Sequence, residues 1–365
     1  MSGVQKMEVY LSFCPDLYYN QPQVLTLPLC LFLAELARRA GWNATRKLGS
    51  NLELSLLLLK QITAMMLMVM AGFVMAKVKL INGEESRILS RTVVNIICPC
   101  AFGGAFLVES SPEIRANLLA SFVAASLIYA AFCGVTWLLS HGRYALTPGE
   151  QAAVVYSNSG NLIFPIILST LGAEFVVYSC AYVAIQNLLT WSHGQLLLGG
   201  TQKLTVWKVV TNPCIFAILL GITVFLTGIQ LPAPVVSAVD SMGACLGPLS
   251  MLIIGIMLAE TDLKQAFSSL RTYRVIALRL GVYPLISIGI LWVLGRIWPI
   301  GTDIGMTLTV PLLCSIGPSS TTLTQMAQLY QHPERGYMSS INAVTTILCA
   351  ATMPVMLFIY QLFSA

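Results

Sequence analysis

Charge is scarce in this sequence. Only 10% of the 365 residues are Asp, Glu, Lys or Arg, whereas a soluble globular domain has roughly 25%. Hydrophobic residues make up 56% of the chain, and its mean hydropathy is +0.79. These values exclude a soluble protein. Because a bilayer core needs about 20 predominantly apolar residues per helical crossing, the composition provides for about ten membrane-spanning helices and little else.

The groups that enzymes and metal sites need are also scarce. The chain has three His, and its ten Cys lie mostly inside apolar runs, without the paired spacing of a metal site or a disulfide framework. No Gly-x-Ser-x-Gly pattern accompanies a His that could serve as base. We therefore expect no enzyme, no catalytic residue, no metal and no cofactor. The apolar runs also lack the paired carboxylates of a cation/proton antiporter.

Ten apolar runs bounded by charged or turn residues predict an all-α membrane protein with ten transmembrane helices, called spans 1 to 10 below. In chain order they cover about 52–75, 88–108, 116–140, 151–171, 174–199, 212–229, 235–259, 272–294, 304–328 and 336–363. The connections between them are short, and no soluble domain is inserted.

The basic residues predict the orientation of these spans. Cytoplasmic loops are enriched in Lys and Arg, and one side of the predicted topology holds only Arg115 and Arg296. The basic residues of the other side are Lys77, Lys79, Arg87, Arg91, Arg143, Lys203, Lys208, Lys264, Arg271, Arg274, Arg279 and Arg335. That side is expected to be cytoplasmic, which puts both termini of this multi-pass protein on the non-cytoplasmic side.

The sequence divides into three parts. Residues 1–50 are an N-terminal extension, either an interfacial helix or a disordered segment, because Val24–Ala37 is too short to span a bilayer. Residues 51–199 hold the first five spans, and 200–365 hold the second five. A five-span repeat is odd in number, so we expect the second copy to be inverted relative to the first.

Polar, helix-breaking residues recur in the fourth span of each half. Span 4 contains Asn158, Asn161 and Pro165, and span 9 contains Gly317 and Pro318 at nearly the same distance from the start of its half. Paired discontinuous helices of this kind mark the binding site of inverted-repeat secondary transporters. The sequence therefore predicts that spans 4 and 9 are broken and cross each other at the bilayer midplane.

Non-helical backbone at membrane depth is tolerated only around a protein-lined cavity, and half-helix N-termini carry positive partial charge that suits an anion. Neither broken span contains a basic residue. In spans 5 and 10, further amides lie at related positions and could reach the same layer, while His193 is a candidate for proton coupling. The predicted substrate-binding residues are Asn158, Asn161, Pro165, Gly317, Pro318, Ser319, Ser320, Asn187 and Asn342.

These residues belong to a wider set of motifs over about 52–363 that resembles the auxin efflux carrier family. The set comprises Asn158-x-x-Asn161-x-x-x-Pro165, Asn212-Pro213 through Gly221, Leu231-Pro232, Leu246-Gly247-Pro248 through Gly255, Pro318 with Tyr330, Gly72, Leu89 to Asn95 and Pro99. The family includes plant auxin exporters and bacterial malonate and malate permeases. The short loops resemble the bacterial members, whereas the 50-residue extension is not part of the family pattern.

The resemblance implies a ten-helix fold in which a scaffold of spans 1, 2, 6 and 7 carries an elevator-like transport domain of spans 3–5 and 8–10. It also implies Asn158, Asn161 and Pro165 as the span-4 site, Pro318 as the span-9 crossing, and a small organic anion such as malonate or malate as substrate. The expected location is the bacterial inner membrane. Expected partners are this anion and the lipid bilayer, with a homodimer as an open alternative and no nucleic acid. A carrier-like membrane sensor and a channel remain alternative functions.

Overall fold

A computed structural model describes six stretches of the chain: 45–81, 83–141, 145–199, 212–261, 270–298 and 304–364. The described chain falls into two units, with the boundary between Leu56 and Leu57. In the first unit, the described residues form the start of a helix. All the features discussed below lie in the second unit. Of the predicted extension 1–50, residues 1–44 lie outside the described part of the chain.

All regular structure in these stretches is helical, apart from one isolated β-bridge between Ser157 and Ser319. We number the helices α1 to α12. They are Thr45–Lys77 (α1), 83–104 (α2), Pro112–Leu139 (α3), Pro148–Val155 (α4), Ser159–Thr170 (α5), 173–198 (α6), Pro213–Thr227 (α7), Ala233–Glu260 (α8), Leu270–Ile297 (α9), Ile304–Ile316 (α10), Thr321–Leu329 (α11) and Arg335–Ser364 (α12).

The all-helical prediction is confirmed for the described residues. Five of their helices, α1, α3, α8, α9 and α12, are long and apolar enough to cross a membrane. Four shorter apolar helices lie within α2, α5, α7 and α10. Each predicted span coincides with described helix to within a few residues, except that α1 begins before the predicted start of span 1.

Several helices begin at a polar cap followed by proline. The Ser111 hydroxyl accepts a hydrogen bond from the Ile114 amide at the start of α3, and Asn212 caps α7 in the same way. Thr147 and Glu150 form a reciprocal capping box at the start of α4. Such caps satisfy amide groups that have no intrahelical partner, and proline at the first helical position lacks an N–H that would need one.

The helices pack in two groups. Helix α2 packs against both α7 and α8, and α1 crosses α8 where Gly72 meets the Leu252 backbone. The second group contains α3 to α6 and α9 to α12, with α10 packed against α3, α6, α9 and α12. The first group uses small residues where backbones touch: a Cβ on Gly221 would lie 2.9 Å from the Gly103 carbonyl oxygen. Small residues allow this close approach of membrane helices.

Four helices contain a π-helical turn. The turns lie at Val93–Ile97 in α2, Ser159–Ile163 in α5, Thr190–Gly194 in α6 and Leu278–Val282 in α9. Such turns widen a helix by one residue and often occur at functional sites. All four carry a residue that reaches the region described next.

Candidate functional site

The chain leaves helical geometry between α4 and α5, at 156–158, and between α10 and α11, at 317–320. We call these segments the two breaks. The Asn158 amide donates to the Pro318 carbonyl oxygen at 2.9 Å, and the Ser320 amide donates to the Tyr156 carbonyl oxygen at 3.0 Å. Each break therefore provides hydrogen-bond partners for backbone groups of the other. These bonds offset the cost of non-helical backbone in an apolar environment.

Side chains from both breaks join beside these backbone bonds. Asn161 Nδ2 donates to Thr321 Oγ1 at 3.1 Å, and that hydroxyl donates to Asn158 Oδ1 at 3.2 Å. The Cys98 thiol lies 3.6 Å from Asn161 Oδ1. Asn158 is buried, yet its Nδ2 has no hydrogen-bond partner within the described residues. An unmatched buried donor is costly, so this amide is available to an acceptor that enters the site.

Helix α12 supports the second break. Asn342 Nδ2 donates to the Ser319 carbonyl oxygen at 2.6 Å, and the Ser319 amide donates to Thr345 Oγ1 at 3.2 Å. All three residues are buried. The structure brings Asn342 and Ser319 together, and the contacts between them hold the backbone in place without using the side chain of Ser319.

The prolines and Gly317 shape the crossing by packing. Pro165 is buried in α5 and faces Gly247 of α8, where an added Cβ would lie 3.1 Å from the proline ring. A Cβ on Gly317 would lie 2.9 Å from Ile163. The absence of side chains at these two glycines therefore lets the broken helices approach each other and α8.

Gln186 is the amide of α6 that reaches the first break. It is not among the predicted site residues. Its Oε1 accepts hydrogen bonds from Tyr129, Ser157 and Ser159, at 2.6, 2.9 and 2.9 Å. Its Nε2 donates to the Ser157 carbonyl oxygen at 3.0 Å. The predicted neighbour Asn187 is half-buried and makes none of the described hydrogen bonds at the breaks.

Gln186→Leu is expected to destabilise the protein by about 1–3 kcal/mol, because it leaves three buried hydroxyl groups and a carbonyl without their partner. Gln195→Leu is the matched control: this glutamine is also buried in α6, and its amide makes no hydrogen bond within the described residues. That change is expected to be neutral or stabilising. Unfolding midpoints of the two purified variants test the pair, and equal losses would contradict it.

His193 also contacts the first break. Its Nδ1 lies 2.9 Å from the Tyr156 hydroxyl oxygen, which lies 3.0 Å from the Leu189 carbonyl oxygen. The Tyr156 carbonyl oxygen accepts the Ser320 amide. Tyr156 therefore connects the His193 imidazole to the backbone hydrogen bonds that join the breaks.

Arg279 is another residue at the breaks that is not among the predicted site residues. The sequence counts it with the basic residues of the predicted cytoplasmic side, whereas in the structure its side chain is fully buried in the π-helical turn within α9. The guanidinium donates to the carbonyl oxygens of Gly317, Ser315 and Val154 at 2.7–3.0 Å. A basic side chain from span 8 thus reaches both breaks, although neither broken span contains one.

A cavity of about 1740 Å³ is lined by residues of both helix groups. Met66, Asn95 and Ile254 line it on one side, and Thr322 and Asn342 line it on the other. It reaches the helix ends at Thr261 and Gln331, beside the connections that the sequence predicts to be cytoplasmic.

A much smaller pocket of about 20 Å³ lies next to this cavity and shares Ser90 and Gln325 with it. Asn161, Thr321 and Ser250 complete its polar lining, and the Ser250 hydroxyl has no partner within the described residues. This volume holds about one water molecule. A larger ligand would therefore approach Asn161 from the main cavity, between the two helix groups.

Within the described residues, no group of three His, Cys, Asp or Glu side chains could hold a metal ion. The polar side chains described at the breaks carry amides, hydroxyls, the Arg279 guanidinium, the His193 imidazole and the Cys98 thiol. This set can bind and orient an oxyanion by hydrogen bonds.

Two comparisons with known proteins match this chain. The profile of a family described as membrane transport protein matches residues 57–357. An "Uncharacterized transporter" of Methanothermobacter thermautotrophicus is 25% identical over 309 residues, which cover 80% of this chain and 95% of that protein. The family match includes the two breaks, the residues that line the cavity and all nine predicted site residues.

Proposed function

The chain belongs to the membrane transport protein family, that of the auxin efflux carriers, and from this premise we propose that it is a secondary transporter of a small organic anion. The observation that carries the proposal is the pair of breaks, which are joined by backbone hydrogen bonds and lie beside the cavity lined by Thr322 and the small pocket lined by Asn161 and Thr321. Discontinuous helices in secondary transporters form sites of this kind.

We propose that the twelve described helices form ten spans arranged as two inverted five-helix repeats. In this arrangement α4 with α5 is span 4, and α10 with α11 is span 9. Two features support it: each half contains one break, and the bridge between Ser157 and Ser319 that joins the breaks is antiparallel. Segments related by an inverted repeat meet in that way.

The two packing groups support an elevator-type movement. Helices α1, α2, α7 and α8 would form the scaffold, while α3 to α6 and α9 to α12 would carry the substrate. The main cavity lies between these groups, so a displacement of one group against the other would change which side of the membrane reaches Asn161. Because the cavity reaches helix ends that are predicted to be cytoplasmic, we assign this conformation to the inward-open state of the proposed cycle.

The substrate class follows from the site's donors. Amide and hydroxyl groups of Asn158, Asn161 and Thr321 lie next to the first turns of α5 and α11, and helix N-termini favour negative charge. We propose a mono- or dicarboxylate similar to malonate or malate, carried across the bacterial inner membrane. The crossing would be shaped by Pro165, Gly317, Pro318, Ser319 and Ser320, with Asn342 as support. A substrate-binding role for Asn187 stays a prediction.

Asn161→Ala is expected to reduce carboxylate transport below one-tenth of the wild-type rate, because it removes the amide that lines the small pocket and donates to Thr321. The measurement is uptake of labelled malonate into proteoliposomes. Asn117→Ala is the control, since Asn117 is a buried amide of α3 that lines neither cavity. Normal transport by the Asn161 variant would contradict the site assignment.

The substrate class itself is tested by a thermal-shift screen of mono- and dicarboxylates, with and without sodium, since a ligand stabilises the state that binds it by mass action. A carboxylate that raises the unfolding temperature and is also transported supports a carrier. Binding without transport would favour a sensor, and transport that does not saturate would favour a channel.

A further inference from the structure

The buried Arg279 has an unusual set of acceptors. Its Nε and Nη2 donate to the Gly317 carbonyl oxygen at 3.0 and 2.7 Å, Nη2 also donates to Ser315 at 2.7 Å, and Nη1 donates to Val154 at 3.0 Å. Every acceptor is a backbone carbonyl. No carboxylate among the described residues forms an ion pair with this guanidinium.

These carbonyls are the terminal ones of two half-helices. Val154 lies at the end of α4, and Ser315 and Gly317 lie at the end of α10. The last carbonyls of a helix have no intrahelical partner and carry a partial charge of about −0.5 in total. One guanidinium therefore lies against two helix ends, whose summed charge is about −1.

At the two helix starts of the crossing, no described contact with a carboxylate offsets the positive partial charge. Helices α5 and α11 begin there, each with a partial charge of about +0.5. Thr321 and Thr322 at the start of α11 line the pocket and the cavity, respectively, and Asn161 in the first turn of α5 lines the pocket. Buried Asn158 precedes the start of α5, and its Oδ1 accepts from Thr321 at the start of α11, while its Nδ2 is unmatched within the described residues.

We propose that Arg279 makes the crossing select anions, by neutralising the carboxyl-terminal ends of α4 and α10 so that the amino-terminal ends of α5 and α11 act as uncompensated positive charge. The inference rests on the proposed function and adds the origin of its charge selectivity. Arg279 lines neither cavity, so it is a positioning residue. The net charge left at the crossing is on the order of +1, which matches one carboxylate.

The alternative is that Arg279 only ties the breaks together through its four hydrogen bonds. The two roles differ in what a change of side chain does to charge selectivity. Lysine keeps the charge and loses the planar fork of donors, whereas glutamine keeps a donor and loses the charge.

The test compares binding of malonate with binding of malonamide, its uncharged diamide, to the full-length protein in lipid nanodiscs by calorimetry. Wild-type protein is expected to bind malonate at least tenfold more tightly. Arg279→Lys is expected to keep this ratio within fivefold, and Arg279→Gln to lose it by tenfold or more. Ser287→Ala, which removes a buried hydroxyl of α9 bonded to its own helix, should leave the ratio unchanged.

A folded Arg279→Gln protein that retains the wild-type ratio would overturn the inference and leave the proposed function intact. If the glutamine variant does not fold, the lysine variant decides: a ratio within fivefold of wild type supports the inference, and a larger loss overturns it. The proposed function fails separately if no mono- or dicarboxylate binds to wild-type protein.

Discussion

Gly255→Leu is expected to prevent the chain from folding into a stable, monodisperse species. Helices α1 and α8 touch backbone to backbone at this residue: a Cβ on Gly255 would overlap the Val69 carbonyl oxygen and lie 2.7 Å from the Phe73 amide nitrogen. Neither backbone atom can rotate away, so the two helices must separate. The expected loss exceeds the roughly 1–3 kcal/mol typical of overpacking a core with extra methylenes.

The measurement is the monodisperse fraction after extraction into detergent, together with its unfolding temperature. Gly134→Leu serves as control, because an added Cβ at this exposed position of α3 has no neighbour within 4 Å. The control should behave as wild type. A Gly255 variant with wild-type yield and unfolding temperature would show that the α1–α8 contact is looser than described.

Glu150→Ala is expected to cause the second large loss. Glu150 is fully buried at the start of α4 and pairs with Arg271 at 3.1 Å and Arg274 at 2.8 Å, both from α9. Its carboxylate also accepts the Tyr337 hydroxyl of α12 at 3.3 Å and the Thr147 amide at 3.0 Å. Removing one partner of a buried pair costs 3–5 kcal/mol. Because both arginines are partly exposed, we expect about 3 kcal/mol.

Glu334→Ala provides the graded comparison. This carboxylate pairs with Arg271 at 3.0 Å and accepts the Gly149 amide at 3.2 Å, but it is 20% exposed. Its loss should therefore be smaller, and the ranking of the two unfolding temperatures is the readout. Equal effects of the two substitutions would mean that burial of Glu150 adds nothing to the strength of its pairs.

The positions of the helices and of the two breaks could be predicted from the sequence, for physical reasons. Apolar runs of bilayer length have few alternatives to helix in lipid. Asn158, Asn161 and Pro165 within one such run mark a place where a regular helix is unfavourable. The same holds for Gly317 and Pro318 in the second half.

The residues around the breaks could not be predicted as well. Arg279 looks like a loop charge in the sequence because its acceptors are backbone carbonyls, and carbonyls leave no trace in side-chain identity. Gln186 and Asn187 are adjacent, so the choice between them depends on about 100° of helix rotation. The π-helical turns shift that rotation, and a count of residues from the neighbouring spans does not resolve it.

These turns have a consequence for comparing this chain with its relatives. A helix that takes up one additional residue as a π-helical turn keeps the residues on both sides on their original faces, because the extra residue bulges locally. In an alignment, a relative with a regular helix at 278–282 would show a one-residue gap inside an uninterrupted helix. Closing that gap would shift every following residue by one position and pair Arg279 with the wrong partner.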